Sequence, residues 1–284
     1  MTALLSARLQ ALLPQRLLGA LVYRIARSEN RFVKNALIRW FSKRYAIDAS
    51  EAAFTGTDDY PTFNAFFTRA LREGVRTVDA SAHSIVSPCD GKLTEFGTIG
   101  DGTLLQAKGL RYALNELLGE DSADVAPFMG GRYATVYLAP RDYHRVHAPA
   151  TARLTCTRYL PGRRFAVNEA SSRVVHRLFC RNERVVCRFE GEFGHAAVVL
   201  VGALNVSSIS TSRLGEIASG PARRWEEPDP IAYAKGEELG RFNLGSTVVV
   251  VTSRSAAVWD EALVRDQTLR MGMRIGTLAL SAGN

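Results

Sequence analysis

Residues able to do chemistry fall in three places along the chain. The most unusual is Leu244-Gly245-Ser246-Thr247, which runs into four valines at 248–251. Gly245 has no Cβ, so its backbone can take strained dihedrals and leave its carbonyl open to attack from one face. The hydroxyl of Ser246 is adjacent in sequence and needs only a base to become a nucleophile. Taken alone, the tetrapeptide is more simply read as a Gly-Ser turn feeding a buried strand. The other two places reverse that reading.

In residues 140–149, PRDYHRVHAP, two of the chain's five histidines, His144 and His147, lie three apart. No third ligand accompanies them, so no metal centre is expected. An imidazole that titrates near neutrality suits proton transfer better. In residues 87–92, SPCDGK, an Asp-Gly turn presents Asp90, and by itself that is ordinary turn chemistry. Asp90, His147 and Ser246 nevertheless follow the order Asp…His…Ser, one of the chain orders in which hydrolytic triads occur. A plain serine hydrolase is expected to carry its serine in a G-x-S-x-G elbow or off a strand-to-helix turn. Here Ser246 precedes a strand-like run, and the nearest carbonyl is the chain's own Gly245. Intramolecular attack has an effective concentration worth up to roughly 7–11 kcal/mol of barrier when the geometry is right.

These residues must be held by a β-rich body. From Ser84 onward, short apolar runs at 93–96, 133–138, 185–189, 196–201 and 248–251 alternate with Gly, Pro and Asp. Such spacing predicts a mostly antiparallel β domain, with one helix at about 113–118. Residues 193–212 carry no Asp, Glu, Lys or Arg, but their apolar part, 196–204, is short. A spanning helix needs about 20 predominantly apolar residues, so a pair of buried strands is expected instead. No G-x-G-x-x-G and no P-loop is present, which leaves dinucleotide and Walker-type nucleotide binding without support. The four cysteines form no C-x-x-C pair and read as reduced, mostly buried thiols of a cytosol-facing protein.

Ahead of that body, residues 1–45 read as helical. Leu17, Leu18, Leu21, Val22 and Ile25 make one apolar stripe, and Phe32, Val33, Ala36, Leu37, Trp40 and Phe41 make a second. Pro14 and Ser28-Glu29-Asn30 separate the helices. Nine Lys and Arg within residues 1–50 face only Glu29 and Asp48, which accounts for nearly all of the net charge of +8. Pattern alone leaves two accounts even. The helices either pack their stripes on the core with their charges solvated, or lie as a cationic platform on anionic lipid, with Trp40 and Phe41 at headgroup depth. No binding motif or aromatic interleaving accompanies the charge, so nucleic acid is not an expected partner. Arg8 and Pro14 interrupt the early apolar residues, and no secretory signal is read there. A further amphipathic helix is expected over 63–71.

The chain resembles the phosphatidylserine decarboxylases of the bacterial, pyruvoyl-dependent, self-cleaving type. The matching segments are 63–69 (FNAFFTR), 87–92, 106–109 (QAKG), 140–149, 161–162 with 167–168, 178–185 (LFCRNERV) and 235–247 ending in LGST. Ser207 stands where that family usually has glycine, and Arg164 and Glu169 stand in a segment that is usually more apolar. The reading is of an α+β fold, with N-terminal amphipathic helices followed by a mostly antiparallel β-rich catalytic domain. The resemblance implies a membrane-associating segment, 1–50, and a catalytic domain, 51–284, self-cleaved into a β chain, 1–245, and an α chain, 246–284.

The resemblance also implies a mechanism. His147, oriented by Asp90, would deprotonate Ser246, whose oxygen attacks the Gly245 carbonyl. β-Elimination and hydrolysis would then leave a pyruvoyl group, the covalent cofactor, at position 246. Phosphatidylserine would condense with it as a Schiff base and lose CO₂ to give phosphatidylethanolamine, with His144 returning a proton to the substrate carbon. A lipid substrate makes residues 1–45 a membrane platform, and the expected location is the cell membrane, peripheral, on the cytoplasmic face. The implied partners are phosphatidylserine in an anionic membrane and the α and β chains for one another; a homo-oligomer is compatible. The alternative is a serine hydrolase that uses Asp90, His147 and Ser246 without cutting itself. A non-catalytic membrane-binding module would leave the histidine block and LGST idle.

Overall fold

Consecutive valines favour extended backbone, because β-branched side chains fit a pleated, buried surface. In the computed structural model, which describes residues 15–203, 208–243, 246–254 and 256–279 with side chains from residue 19 on, the valine run lies in strand β14 (Ser246–Thr252; strands are numbered in chain order). Every residue of β14 is buried. It stands inside an eight-stranded antiparallel sheet of order β12 (Arg223–Tyr233), β7 (Ala152–Leu160), β8 (Arg184–Gly191), β9 (Gly194–Gly202), β14, β5 (Arg132–Leu138), β2 (Gly91–Thr98) and β16 (Thr268–Leu269). A strand buried on both faces reads as a continuous apolar run, which is why 248–251 does not alternate.

Three smaller antiparallel sheets complete the body. One has the order β11 (Gly215–Ile217), β10 (Ser208–Thr211), β13 (Glu238–Asn243) and β6 (Arg145–His147). Another has the order β1 (Ser84–Val86), β17 (Arg274–Leu278) and β15 (Ala257–Trp259), and β3 (Thr103–Ala107) pairs with β4 (Leu110–Ala113). The chain therefore passes from the four-stranded sheet (β13) to the large sheet (β14) through residues 244 and 245. Leu244, Gly245 and Ser207 lie outside the described residues. The five predicted apolar runs fall in β2, β5, β8, β9 and β14, and 193–212 supplies the buried strands β9 and β10. The helix expected at 113–118 is Leu114–Leu118, stopped by Gly119 in the left-handed region. The fold is α+β, with N-terminal helices leading a mostly antiparallel β-rich body.

Helices Gln15–Ala26 and Arg31–Tyr45 precede that body. Asn30 starts the second, its side chain accepting from the amides of Phe32 and Val33 at 3.0 and 3.2 Å. They dock through a cluster apart from the main core, in which Ile38 and Phe41 meet Tyr60, Phe63, Phe66 and Phe67. The Phe41 ring lies 5.1 Å from that of Phe63 and 5.7 Å from that of Phe67. This corrects the expectation that Phe41 shares headgroup depth with Trp40. The next position round the helix turns inward, so Phe41 is core, while Trp40 is 59 % and Phe32 84 % exposed. The helix expected over 63–71 is also shorter, Phe63–Phe67. Thr68 ends it by bonding back to the Asn64 carbonyl, and the chain then turns to bring Leu71 into a bridge with Ala52. Among the described residues, no helix is long and apolar enough to cross a membrane.

If that cluster fixes the helices, Phe41→Ala should cost about 3–5 kcal/mol in urea unfolding. Trp40→Ala, one residue away and exposed, should stay within about 0.5 kcal/mol of the parent. Equal costs for the two would contradict the docking face.

Candidate active site

Two backbone ties bring Ser246 and Phe242 beside the histidine loop. Ser246 pairs with Leu138 of β5 on one side and Gly202 of β9 on the other. Phe242, four residues earlier, donates its amide to the His144 carbonyl at 3.0 Å. The loop from 139 to 143 therefore lies between a residue paired with Ser246 and one bonded to Phe242. The Ser246 hydroxyl is buried and meets no hydrogen-bond partner among the described residues, and the same holds for Thr247. A buried hydroxyl ordinarily finds a partner, and Thr135 and Thr252 in the same sheet also lack one.

His144 is fully buried against the Phe67 ring, with centroids 4.1 Å apart. Its Nδ1 faces the Asp142 carbonyl at 2.7 Å, so Nδ1 carries the proton and Nε2 presents a bare lone pair that no described group meets. Burial pushes its pKa down to about 3, keeping the ring neutral near pH 7. His147, the last residue of β6, is oriented in the same manner. Its Nδ1 faces the Gly236 carbonyl at 2.8 Å, and its Nε2 lies 3.1 Å from the Tyr143 hydroxyl. Burial again lowers its pKa. Gly236 has φ +84°, and a Cβ there would come 2.7 Å from Val78, so the carbonyl that holds His147 depends on glycine.

Asp90 has other partners. Arg76 grips it with Nε at 2.9 Å and Nη2 at 2.5 Å, and the amide of Met271 donates to it at 2.8 Å. Arg76 also reaches Glu51 at 2.7 Å, and Arg270 lies 3.3 Å from Glu51. Burial alone would lower the Arg76 pKa, but the bonds to Asp90 and Glu51 hold it above its ordinary value. The tie between the Asp90 turn and His147 is a backbone one, from the His147 amide to the Pro88 carbonyl at 2.7 Å. Gly91 is needed beside Asp90 because a Cβ would stand 2.5 Å from the Tyr137 carbonyl. Among the described residues, no group of three or more His, Cys, Asp or Glu is set to hold a metal ion.

Sequence reasoning passed over four of these residues. Tyr143 and Gly236 lie inside the segments it singled out, and their signal was proximity to the two histidines. Arg76 and Arg270 carry no motif, and only the fold brings them to Asp90. The charged residues in the segment expected to be more apolar are paired: Arg164 with Glu183 at 2.7 Å, and Glu169 with Arg173.

A family profile described as phosphatidylserine decarboxylase matches residues 63–277, and one described as PSD matches residues 5–46. A relative named phosphatidylserine decarboxylase proenzyme from Ectopseudomonas mendocina is 46 % identical over 278 residues, covering 95 % of this chain and 97 % of its own. One of the same name from Acinetobacter baylyi is 45 % identical over 268 residues, covering 94 % and 93 %. Another, from Nitrosococcus oceani, is 44 % identical over 275 residues, covering 95 % and 90 %. With the profile spanning the histidine loop and β14 alike, the chain belongs to the phosphatidylserine decarboxylase family.

Proposed function

We propose that this protein is a self-cleaving lyase that decarboxylates phosphatidylserine to phosphatidylethanolamine, with a pyruvoyl group made from Ser246 as its cofactor. The observation that carries the reading is the buried Ser246 hydroxyl at the head of β14, without a partner among the described residues and within the segment the family profile matches. The relatives' name, proenzyme, supports a maturation step.

The chain's residues fit such a group. Ser246 heads a strand that is hydrogen-bonded on both sides, so whatever stands at this position is held fixed. In maturation, His147 takes the proton from Ser246 Oγ, and the oxygen attacks the Gly245 carbonyl carbon, turning the peptide bond into an ester. β-Elimination releases residues 1–245, and hydrolysis of the remaining dehydroalanine expels ammonia. The Gly236 carbonyl fixes the His147 tautomer, and burial keeps the ring neutral, the form a base requires. Asp90, gripped by Arg76, acts on His147 through its charge and through the turn that ends at Pro88. Once formed, the pyruvoyl group supplies a ketone that accepts electrons as CO₂ leaves. His144, neutral at rest, takes a proton at Nε2 from the incoming ammonium and gives it back to the substrate carbon.

Residues 1–50 act as the membrane segment and 51–284 as the catalytic domain. Support comes from the N-terminal charge and from the exposed apolar residues Leu21, Ile25, Phe32, Val33 and Trp40 on the two helices. An amphipathic cationic surface of this kind lies on anionic lipid without spanning it. The reading is of peripheral attachment at the cytoplasmic face of the cell membrane.

Ser246→Ala should remain a single uncut chain with no pyruvoyl group on a denaturing gel and by carbonyl labelling; normal processing of it would refute the assignment. His144→Ala should still cut itself while decarboxylation falls by about 10²–10⁴, the usual contribution of a general acid–base. A block at cleavage would move His144 into the maturation step. Because Ile38 and Phe41 pack on the aromatic cluster of Tyr60, Phe63, Phe66 and Phe67, the membrane role is better tested by Phe32→Ser with Trp40→Ser than by deletion. Self-cleavage should be unchanged and turnover of lipid in anionic vesicles lost; undiminished vesicle turnover would sink the platform. With the His147 pKa below 6.5, acid must go beyond that value before the base is protonated. The acid midpoint of the self-cleavage rate should therefore lie below 6.5. A midpoint above 6.5 would contradict a neutral, buried base.

A further inference from the structure

Arg69 follows the helix Phe63–Phe67 and is 5 % exposed. Its Nη2 reaches the Arg141 carbonyl at 3.4 Å, and the guanidinium stands 5.4 Å from the centre of the Phe66 ring. Nε and Nη1 are buried with no hydrogen-bond partner, and among the described residues no carboxylate comes within 4.0 Å of it. Arg184, also 5 % exposed, is a structural arginine by contrast: it donates to the carbonyls of Leu117, Cys180, Asn182 and Glu116 at 2.5–3.0 Å. A buried guanidinium without such acceptors is costly, and a fold retains one where something else supplies them.

That something has room. Arg69 lines a cavity of about 300 Å³ together with Asp48, Asp90, Arg141, Tyr143 and Arg270. The volume suits a small ligand. Arg141 and Arg270 are more than half exposed at its outer side. The carboxylates around it already have donors. Arg76 holds Asp90, and Arg76 and Arg270 hold Glu51. Ser50 bonds Asp48, and the amide of Ala139 bonds Asp142 at 2.7 Å. The donors left over belong to Arg69 and Arg141, since Arg270 is paired with Glu51 and Asp90. We infer that this cavity binds a phosphate-bearing anion, held by Arg69 at its base with Arg141 at its outer side. Planar guanidinium forks match phosphate oxygens, and a desolvated one does so most strongly. Ala46 and Asp48, on the cavity wall, directly follow the helix Arg31–Tyr45, so the site adjoins the segment assigned to the membrane surface. Tyr143 carries the same wall to His147.

The shared chemistry is phosphate, either the free ion or the phosphodiester of a lipid head. Only the second source rests on the decarboxylase reading, and the test separates them. Thermal unfolding of the full-length protein is followed with inorganic phosphate and, separately, with glycerophosphoserine. Phosphate should raise the Tm of the parent by a few degrees and leave that of Arg69→Met unmoved. Arg141→Gln, exposed and safe for folding, should need roughly tenfold more phosphate for the same shift, the loss expected for a charge-assisted bond. Glycerophosphoserine acting well below the phosphate concentration would identify a lipid head as the occupant, and equal potency would identify the free ion. No shift with either ligand, or an equal phosphate shift in parent and both variants, would overturn the site. Neither result touches the pyruvoyl assignment, which is read from the chain's own cleavage.

Discussion

Everything in the site depends on strand β14 being hydrogen-bonded along its whole length on both sides. Ser246 to Thr252 pairs residue for residue with β9 and with β5, and all seven residues are buried. A nucleophile on a loop would have to be ordered before it could react. Ser246 is ordered by the sheet, at the point where the chain arrives from β13 in another sheet. In the proposed maturation the carbonyl attacked belongs to Gly245, one of the two residues between these strands. Holding Ser246 in the most constrained strand, next in sequence to that carbonyl, would gain effective concentration without a lid.

The two histidines of the loop are held in a matching way. Each histidine spends Nδ1 on a backbone carbonyl, Asp142 for His144 and Gly236 for His147. That fixes both tautomers without a carboxylate and directs both Nε2 atoms inward. The carboxylate of Asp90 is left to Arg76, which joins it to Glu51 on the N-terminal side, while Met271 joins it to the C-terminal segment. A chain cut after residue 245 would still be tied across the break by that network and by the pairs of β14, β16 and β17. Breaking a buried ion pair from one side typically costs about 3–5 kcal/mol, so the network resists separation of the pieces.

Much of this was legible in the sequence for a physical reason. Short β-branched runs declare strands, and 93–96, 133–138, 185–189, 196–201 and 248–251 all lie in them. His144 and His147 stood out as two of five histidines three apart, and Ser246 as a Gly-Ser step at the mouth of a β-branched run. What escaped was set by tertiary packing. Periodicity counted Phe41 with Trp40, and only the aromatic cluster around Phe63 and Phe67 separates the two. It extended the helix from 63 to 71, whereas the Leu71–Ala52 bridge ends it early. It offered Asp90 to His147 by chain order, but Arg76, distant in pattern and close in space, takes the carboxylate. Arg69 was quoted inside a motif, and its lack of an anion is visible only once its surroundings are known.

The central claim is that the chain cuts itself before Ser246 and leaves a ketone there. Intact mass spectrometry of the purified protein, run beside a denaturing gel, tests it most directly. The account predicts two fragments meeting between Gly245 and Ser246, with the 39-residue C-terminal piece lighter than its sequence by the equivalent of ammonia. A single chain that stays uncut, with Ser246 open to an organophosphorus probe, would contradict it and point to a serine hydrolase.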